Sequence, residues 1–139
     1  MTAIVLDASA LLAMLRDEPG GDKVAGALIG SRMCTVNLAE VISHFVHNGM
    51  PPQEADAMLR PLPVTWVEAD AELAKIAGHL RAATSEAGLS LGDRFCLALA
   101  IRDSLPAWTA DRQWASVAET IGAKVKIIRS GKRNLSSYQ

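Results

Sequence analysis

Three aspartates stand where an apolar stretch gives way to a new element: Asp7 after "IVL", Asp93 in "SLGD" and Asp111 after "AWTA". Grouped carboxylates would make a pocket of hard oxygen anions, and each aspartate also has a plainer use. Asp7 suits the N-cap of a helix beginning near Ala8. Ser90 and Asp93 match a capping box, with Asp93 at its third helical position. Yet Asp93 also heads an inward stripe through Cys96, Leu97, Ala100 and Ile101, where a buried anion is costly unless something positive meets it. Asp111 can cap the helix after it, and Thr109 before it can offer a hydroxyl or simply suit a strand. Asp103 is a weaker candidate, since it falls near a helix C-terminus, where the dipole disfavours an anion. Glu40 lies opposite the apolar face of Leu38, Val41, Ile42, Phe45 and Val46, as an ordinary exposed glutamate would. Glu40, His44 and His47 at i, i+4 and i+7 have a spacing compatible with zinc. The helical signature of two histidines four apart with a glutamate between them is absent, so two solvent-facing histidines are the favoured account.

The elements that must position these residues alternate along the chain. "AIVL" reads as a short buried strand, and the helix after Asp7 stops before Pro19-Gly20-Gly21. A helix over 22–30 closes at Gly30, "RMCTV" is a strand, and Asn37 opens a helix running to Gly49. "QEADAMLR" is a short helix and "PLPVTWVE" a strand, its prolines confined to one end. Asp70 caps an amphipathic helix to about Glu86. "LGDRFCLALAIRDS" is apolar nearly all round and therefore central. "PAWTA" is a strand, Asp111 to about Ile121 a helix, and "KVKIIRS" the last strand. Such alternation predicts an α/β fold with a parallel sheet and helices on both faces. Parallel sheets of this kind place their chemistry beyond the carboxyl ends of the strands, where Asp7 and Asp111 fall. Three aspartates at such positions suggest a shared carboxylate pocket.

The 139 residues suit one domain with a real core, and half of them are apolar. No apolar run approaches the ~18 residues of a membrane span, and "AIVL" is too short for a signal peptide, so a soluble cytoplasmic protein is expected. Cys34 and Cys96 form no CxxC pair and read as buried thiols of a reducing compartment. The net charge of −1 argues at first against a nucleic-acid partner. Its distribution matters more. Setting a group of four acids aside leaves a small cationic excess, and beyond Glu119 come Lys124, Lys126, Arg129, Lys132 and Arg133 with no acidic side chain. A solvated tail is the usual explanation of such a stretch; following a phosphate backbone is the other.

"VLDASALL", "NLAEV", "LSLGDRFCLALA" and "AWTADRQW", in that order and spacing, resemble PIN domains, specifically the VapC family of bacterial toxin ribonucleases. The similarity runs to about Ile128. It implies a three-layer PIN-like fold over residues 1–130, with 131–139 as a basic, polar tail. It also implies a four-acid site of Asp7, Glu40, Asp93 and Asp111 with divalent metal, supported by the hydroxyls of Ser9 and Thr109. Facing away from the apolar stripe is compatible with Glu40 pointing into a polar cleft.

Crowded carboxylates repel, by about 4 kcal/mol for two unit charges ~4 Å apart at an effective dielectric near 20, and a cation offsets this. All-oxygen ligands favour Mg²⁺ or Mn²⁺ over zinc. The expectation is metal held mainly by Asp7 and Asp93, with Glu40 and Asp111 direct or through water. Metal-activated water would then hydrolyse RNA phosphodiesters, leaving a 5′-phosphate and a 3′-hydroxyl. Arg94 and Arg112 each follow a site aspartate and either steer phosphate as RNA-binding residues or form surface ion pairs. Trp108 and Trp114 are expected in the core rather than stacked on bases. The resemblance further implies the toxin of a toxin–antitoxin pair, a cognate antitoxin and a homodimer. Two other classes compete. A Mg²⁺-binding phosphoacceptor signalling domain wants a pair of acids near its first strand and a lysine near a late strand end, and Asp7 stands alone at its strand. A catalytically inactive PIN-like binding module would have lost acids that are all present here.

Overall fold

The computed structural model describes residues 3–129. The tail over 131–139, with Lys132 and Arg133, lies outside the described residues. Strand β1 (Val5–Leu6) leads into α1 (Ala8–Leu15) and α2 (Gly21–Gly26). Next come β2 (Ser31–Cys34), α3 (Thr35–His47), α4 (Pro52–Leu59) and β3 (Val64–Val67). Helices α5 (Ala71–His79), α6 (Arg81–Thr84) and α7 (Leu91–Asp103) precede β4 (Ala107–Thr109). A 3₁₀ turn (Arg112–Ser116), α8 (Ala118–Ile121) and β5 (Val125–Ile127) close the described chain.

All strand pairs are parallel, in the order β3-β2-β1-β4-β5. Side chains alternate between the two faces with the period of a strand. Ile4, Leu6 and Met33 join the core beneath α1–α4, while Val5, Cys34 and Ala107 join the core beneath α5 and α7. The sheet is thus covered on both sides, which is the expected three-layer arrangement. Helix α7 is buried from Arg94 through Ala100, in accord with its near-uniform apolarity. Cys34 and Cys96 are free and buried, and Trp114 is enclosed in the α7 layer.

Three helices depart from expectation. The second ends at Gly26 with Ala27 as its C-cap, four residues short of Gly30. The helix begun at Asp70 reaches only His79 before Leu80 loosens it (ψ −11°) and the short α6 follows. Gly78 in that last turn lowers helix propensity at the break. After Asp111 the chain makes a 3₁₀ turn instead of one α-helix. The Asp111 carboxylate accepts from Gln113 N, two residues on, at 2.9 Å.

Candidate active site

Sheet order reverses direction between β1 and β4. Successive strands run outward from β1 to β3, after which the chain returns to β4 on the other side of β1. A crevice opens at such a switch point, past the carboxyl ends of the two strands. Register then decides what meets there. Val5 pairs with Ala107 and Leu6 with Trp108, so Asp7 falls beside Thr109. Asp7 N donates to Trp108 O at 3.1 Å, continuing the ladder by one residue.

The Asp7 carboxylate is buried and held by four hydrogen bonds. Thr109 Oγ1 donates to Oδ2 at 2.6 Å, Ala10 N to Oδ1 at 2.8 Å, and Ser9 Oγ reaches both oxygens at 2.8 and 2.9 Å. Ser9 Oγ accepts from Ala110 N, and Thr109 Oγ1 from Asp111 N, so both hydroxyls also fix the start of the segment carrying Asp111. Asp7 is therefore a helix cap and a pocket residue at once. The same holds for Asp93, whose capping box with Ser90 is fully formed, and for Asp111 on the 3₁₀ turn. In a parallel sheet the helix N-termini converge on the carboxyl edge of the strands, so capping carboxylates converge with them.

Asp7, Ser9, Glu40, His44, Asp93 and Asp111 line one cavity of about 320 Å³. Glu40 arrives from the side. Asn37, buried one turn earlier on α3, donates from Nδ2 to Glu40 Oε1 at 2.9 Å and to Gly92 O at 3.0 Å. That bridge ties α3 to the first turn of α7. Gly92 leaves the space the carboxylate occupies: a Cβ there would lie 2.6 Å from Glu40 Cδ. Glu40 is exposed as a residue, yet its carboxylate, seated against α7, is desolvated. Asn37 was legible only as a helix opener, and Gly92 carried no signal beyond preceding Asp93. His44, expected in solvent, is half-buried on the cavity wall, one turn beyond Glu40; His47 is exposed.

Electrostatics ties the carboxylates together. Burial pushes Asp7 up to about 7, against the lowering effect of its hydrogen bonds from Thr109, Ala10 and Ser9, and the charge of Asp93 raises it further. Glu40 is raised by burial, opposed by Asn37, with Asp93 again adding to the rise. Asp93 itself is raised by burial, opposed by its bonds to Ser90, and Asp111 repels it. Asp93 is thus the group through which the others sense one another. The donor set is chiefly carboxylate oxygen, short of positive charge, which fits a hard divalent cation. Among the described residues no three His, Cys, Asp or Glu side chains are already drawn together as ligands.

Of the two arginines beside site aspartates, Arg94 does not face the cavity. It is buried and donates to Ala77 O of α5 at 3.0 Å, so it is neither a phosphate contact nor a surface ion pair. At the fourth position of a helix whose third residue faces the pocket, its side chain turns toward the α5 layer. Arg112 is exposed and lines a second depression, of about 480 Å³, with Ala110, Asp111, Gln113 and Arg129. Trp108 is half-buried beneath Lys126, whose Nζ lies 4.5 Å from the ring centroid.

An acidic crevice at the switch point of a doubly wound parallel sheet defines a class of α/β domain. The chain belongs to the PIN domain family, whose model matches residues 4–120. Its fold is similar to that of a toxin–antitoxin complex protein from Klebsiella pneumoniae (TM-score 0.68, 17% identity, covering 91% of this chain and 98% of that one). It is also similar to VapC20 of Mycobacterium tuberculosis, a sarcin–ricin loop cleaving toxin (0.66, 15%, 81% and 93%). A VapBC-5 protein of the same organism matches at 0.62 and 24% identity, over 94% and 100%. Identities this low show a shared fold. No curated protein matches the chain significantly in sequence.

Proposed function

We propose that the protein is a metal-dependent endoribonuclease, the toxin of a toxin–antitoxin pair. The observation that carries this reading is one cavity at the switch point lined by Asp7, Glu40, Asp93 and Asp111, each carboxylate accepting a hydrogen bond from a neighbouring donor. Asp7 and Asp93 would hold Mg²⁺ or Mn²⁺, with Glu40 and Asp111 completing the shell directly or through water. When bound, the cation supplies Lewis acidity toward the phosphodiester and lowers the pKa of water at the site. Ser9 and Thr109 aim the Asp7 carboxylate, and Asn37 aims Glu40. An RNA strand reaching the cavity is cut by hydrolysis, leaving a 5′-phosphate and a 3′-hydroxyl.

The solved relatives named as toxin–antitoxin complexes support a cognate antitoxin as partner, and we extend the reading to a homodimer of one-domain chains (residues 1–130) acting in the cytoplasm. No helix among the described residues is long and apolar enough to cross a membrane. The phosphoacceptor alternative loses ground on topology: flavodoxin-like domains of that kind use the order 2-1-3-4-5, and this sheet is 3-2-1-4-5. An inactive binding module has no observation in its favour, since all four acids share the cavity.

The test is RNA hydrolysis by the purified protein and by Asp7→Asn and Asp93→Asn, with Mg²⁺, Mn²⁺ or EDTA. Outer-shell partners of a metal already cost ~10–100-fold when removed, so losing a ligand should cost at least ~100-fold. Equal activity in the three proteins, or indifference to EDTA, contradicts the reading.

A further inference from the structure

An acidic cavity repels the phosphates of the strand it must cut, so cations at its rim have to bring the backbone in. Such a rim exists, and most of it comes from residues with no part in the four-acid pattern. His44 lines the cavity, and its Nε2 accepts from Arg16 Nη1 at 3.1 Å. Arg16 Nη1 lies 3.6 Å from Glu18 Oε2, and the other Glu18 oxygen lies 3.9 Å from Arg129 Nη2. Arg129 in turn lines the second depression with Arg112 and Gln113, and that depression shares Asp111 with the acidic cavity. The contacts therefore run as an open circuit along one edge of the site, from His44 to Arg16 to Glu18 to Arg129, and Arg112 and Asp111 line the same depression as Arg129.

The fold builds this circuit deliberately in one respect. Asp17 takes a left-handed turn (φ +54°) at the end of α1, and Glu18 N folds back to Ala13 O at 2.8 Å. Gly20, at φ +90°, then presses on the end of β5, where a Cβ would lie 2.9 Å from Ile128 C. Only glycine meets both demands. This contact sets the turn carrying Glu18 against the residue before Arg129. Both ion pairs are long and partly solvated, with Arg16 46% and Glu18 32% exposed, so they are weak and open to exchange. Among the described residues Arg129 Nε is buried without a hydrogen-bond partner, and so retains donor capacity.

We propose that Arg16 and Arg129, continued by Arg112, are the phosphate track of the site, and that Glu18 occupies the place of a backbone phosphate until a nucleic-acid strand displaces it. The proposal rests on the nuclease reading for its substrate and deepens it. A phosphate offers guanidinium groups shorter, charge-assisted bonds than the present Glu18 contacts, which gives the exchange its direction.

The experiment is fluorescence anisotropy of a short fluorescein-labelled single-stranded RNA with the full chain, in EDTA so that the strand stays intact. Arg16→Gln and Arg129→Gln should each weaken binding about fivefold and reduce the salt slope by roughly 0.7 per lost phosphate contact. Glu18→Gln should tighten binding about threefold, an outcome that a purely structural role of the ion pairs would not produce. Arg129→Lys, keeping the charge, should recover part of the affinity, with thermal melting run on every variant to separate binding from folding. Unchanged or weaker binding in Glu18→Gln overturns the proposal. So does RNA affinity indifferent to both arginines, including the case where an acidic peptide proves sensitive to them. Mg²⁺-dependent cleavage by the parent protein is measured alongside. Cleavage without arginine-sensitive affinity sinks the track and leaves the nuclease reading. Arginine-sensitive affinity without cleavage supports the track and sinks the nuclease.

Discussion

Helix α7 carries an aspartate at each end, and the two live in opposite worlds. Asp93 opens the helix and faces three other carboxylates; burial and the charge of Asp111 raise it above its ordinary range. Asp103 ends the helix, about 15 Å away along its axis. There Arg102 Nε and Arg32 Nη1 each donate to it at 2.8 Å, and these contacts hold it below the ordinary range. Residue type is the same, but desolvation is the largest influence on Asp93, with the charge of Asp111 adding to it, whereas at Asp103 the arginine partners outweigh a smaller desolvation. At the C-terminal end the dipole opposes an anion, and two arginines outweigh it. At the N-terminal end the dipole favours an anion, yet the sheet brings in so many carboxylates that they are held against their mutual repulsion. The structural acid is thus paired with two arginines, while among the described residues no lysine or arginine lines the cavity.

The contrast can be pressed hardest at Asp7. Its folded value near 7 lies above the unfolded one, so its stabilising contribution is fully present below about pH 4 and lost as pH rises through about 7. Asp7→Asn should therefore raise stability by about 2–4 kcal/mol at pH 8 without divalent metal, and by less at pH 5. Urea unfolding at the two pH values measures this, and an equal gain at both would break the account. A smaller effect is expected at Gly92. Gly92→Ala should lower RNA hydrolysis about tenfold, or ~1.4 kcal/mol of barrier, by pushing the Glu40 carboxylate from its seat. Alanine favours a helix over glycine, so activity should fall with no loss of melting temperature. Parallel loss of both would place the effect in folding instead. Smallest is Asp103→Asn, expected to cost about 1 kcal/mol of stability and no activity. Asp103 is depressed, so its contribution is present above about pH 4 and lost as pH falls through its folded value. Its pH signature should thus run opposite to that of Asp7, and a fall in cleavage rate would show that the two ends of α7 are not independent.

Much of this was legible in the chain because local rules and the tertiary fold agree. Asp7 follows three apolar residues and precedes a helix, and both signals are local. Ser90 and Asp93 make a capping box that needs no partner from elsewhere. Glu40 was different: its helical face alone marks it as an ordinary surface residue, and only the four-part pattern placed it in the site. Arg94 and His44 were misplaced for the same reason. Sequence neighbours of a pocket residue point about 100° away on a helix, so Arg94 turns into the α5 layer, while His44, a full turn from Glu40, shares its direction.

By itself the sequence determined which residues are acidic, where strands yield to helices, and hence that carboxylates gather at the carboxyl edge of a parallel sheet. Periodicity and capping are local, and they survive without knowledge of the whole. Only the tertiary structure decided that β1 and β4 are neighbours, which seats Asp7 on Thr109 across 102 residues of chain. It alone decided that Gly92 makes room for Glu40, and that a turn pressed on β5 carries Glu18 to Arg129. Those contacts depend on sheet order and close packing, and neither is written in any single stretch of the chain.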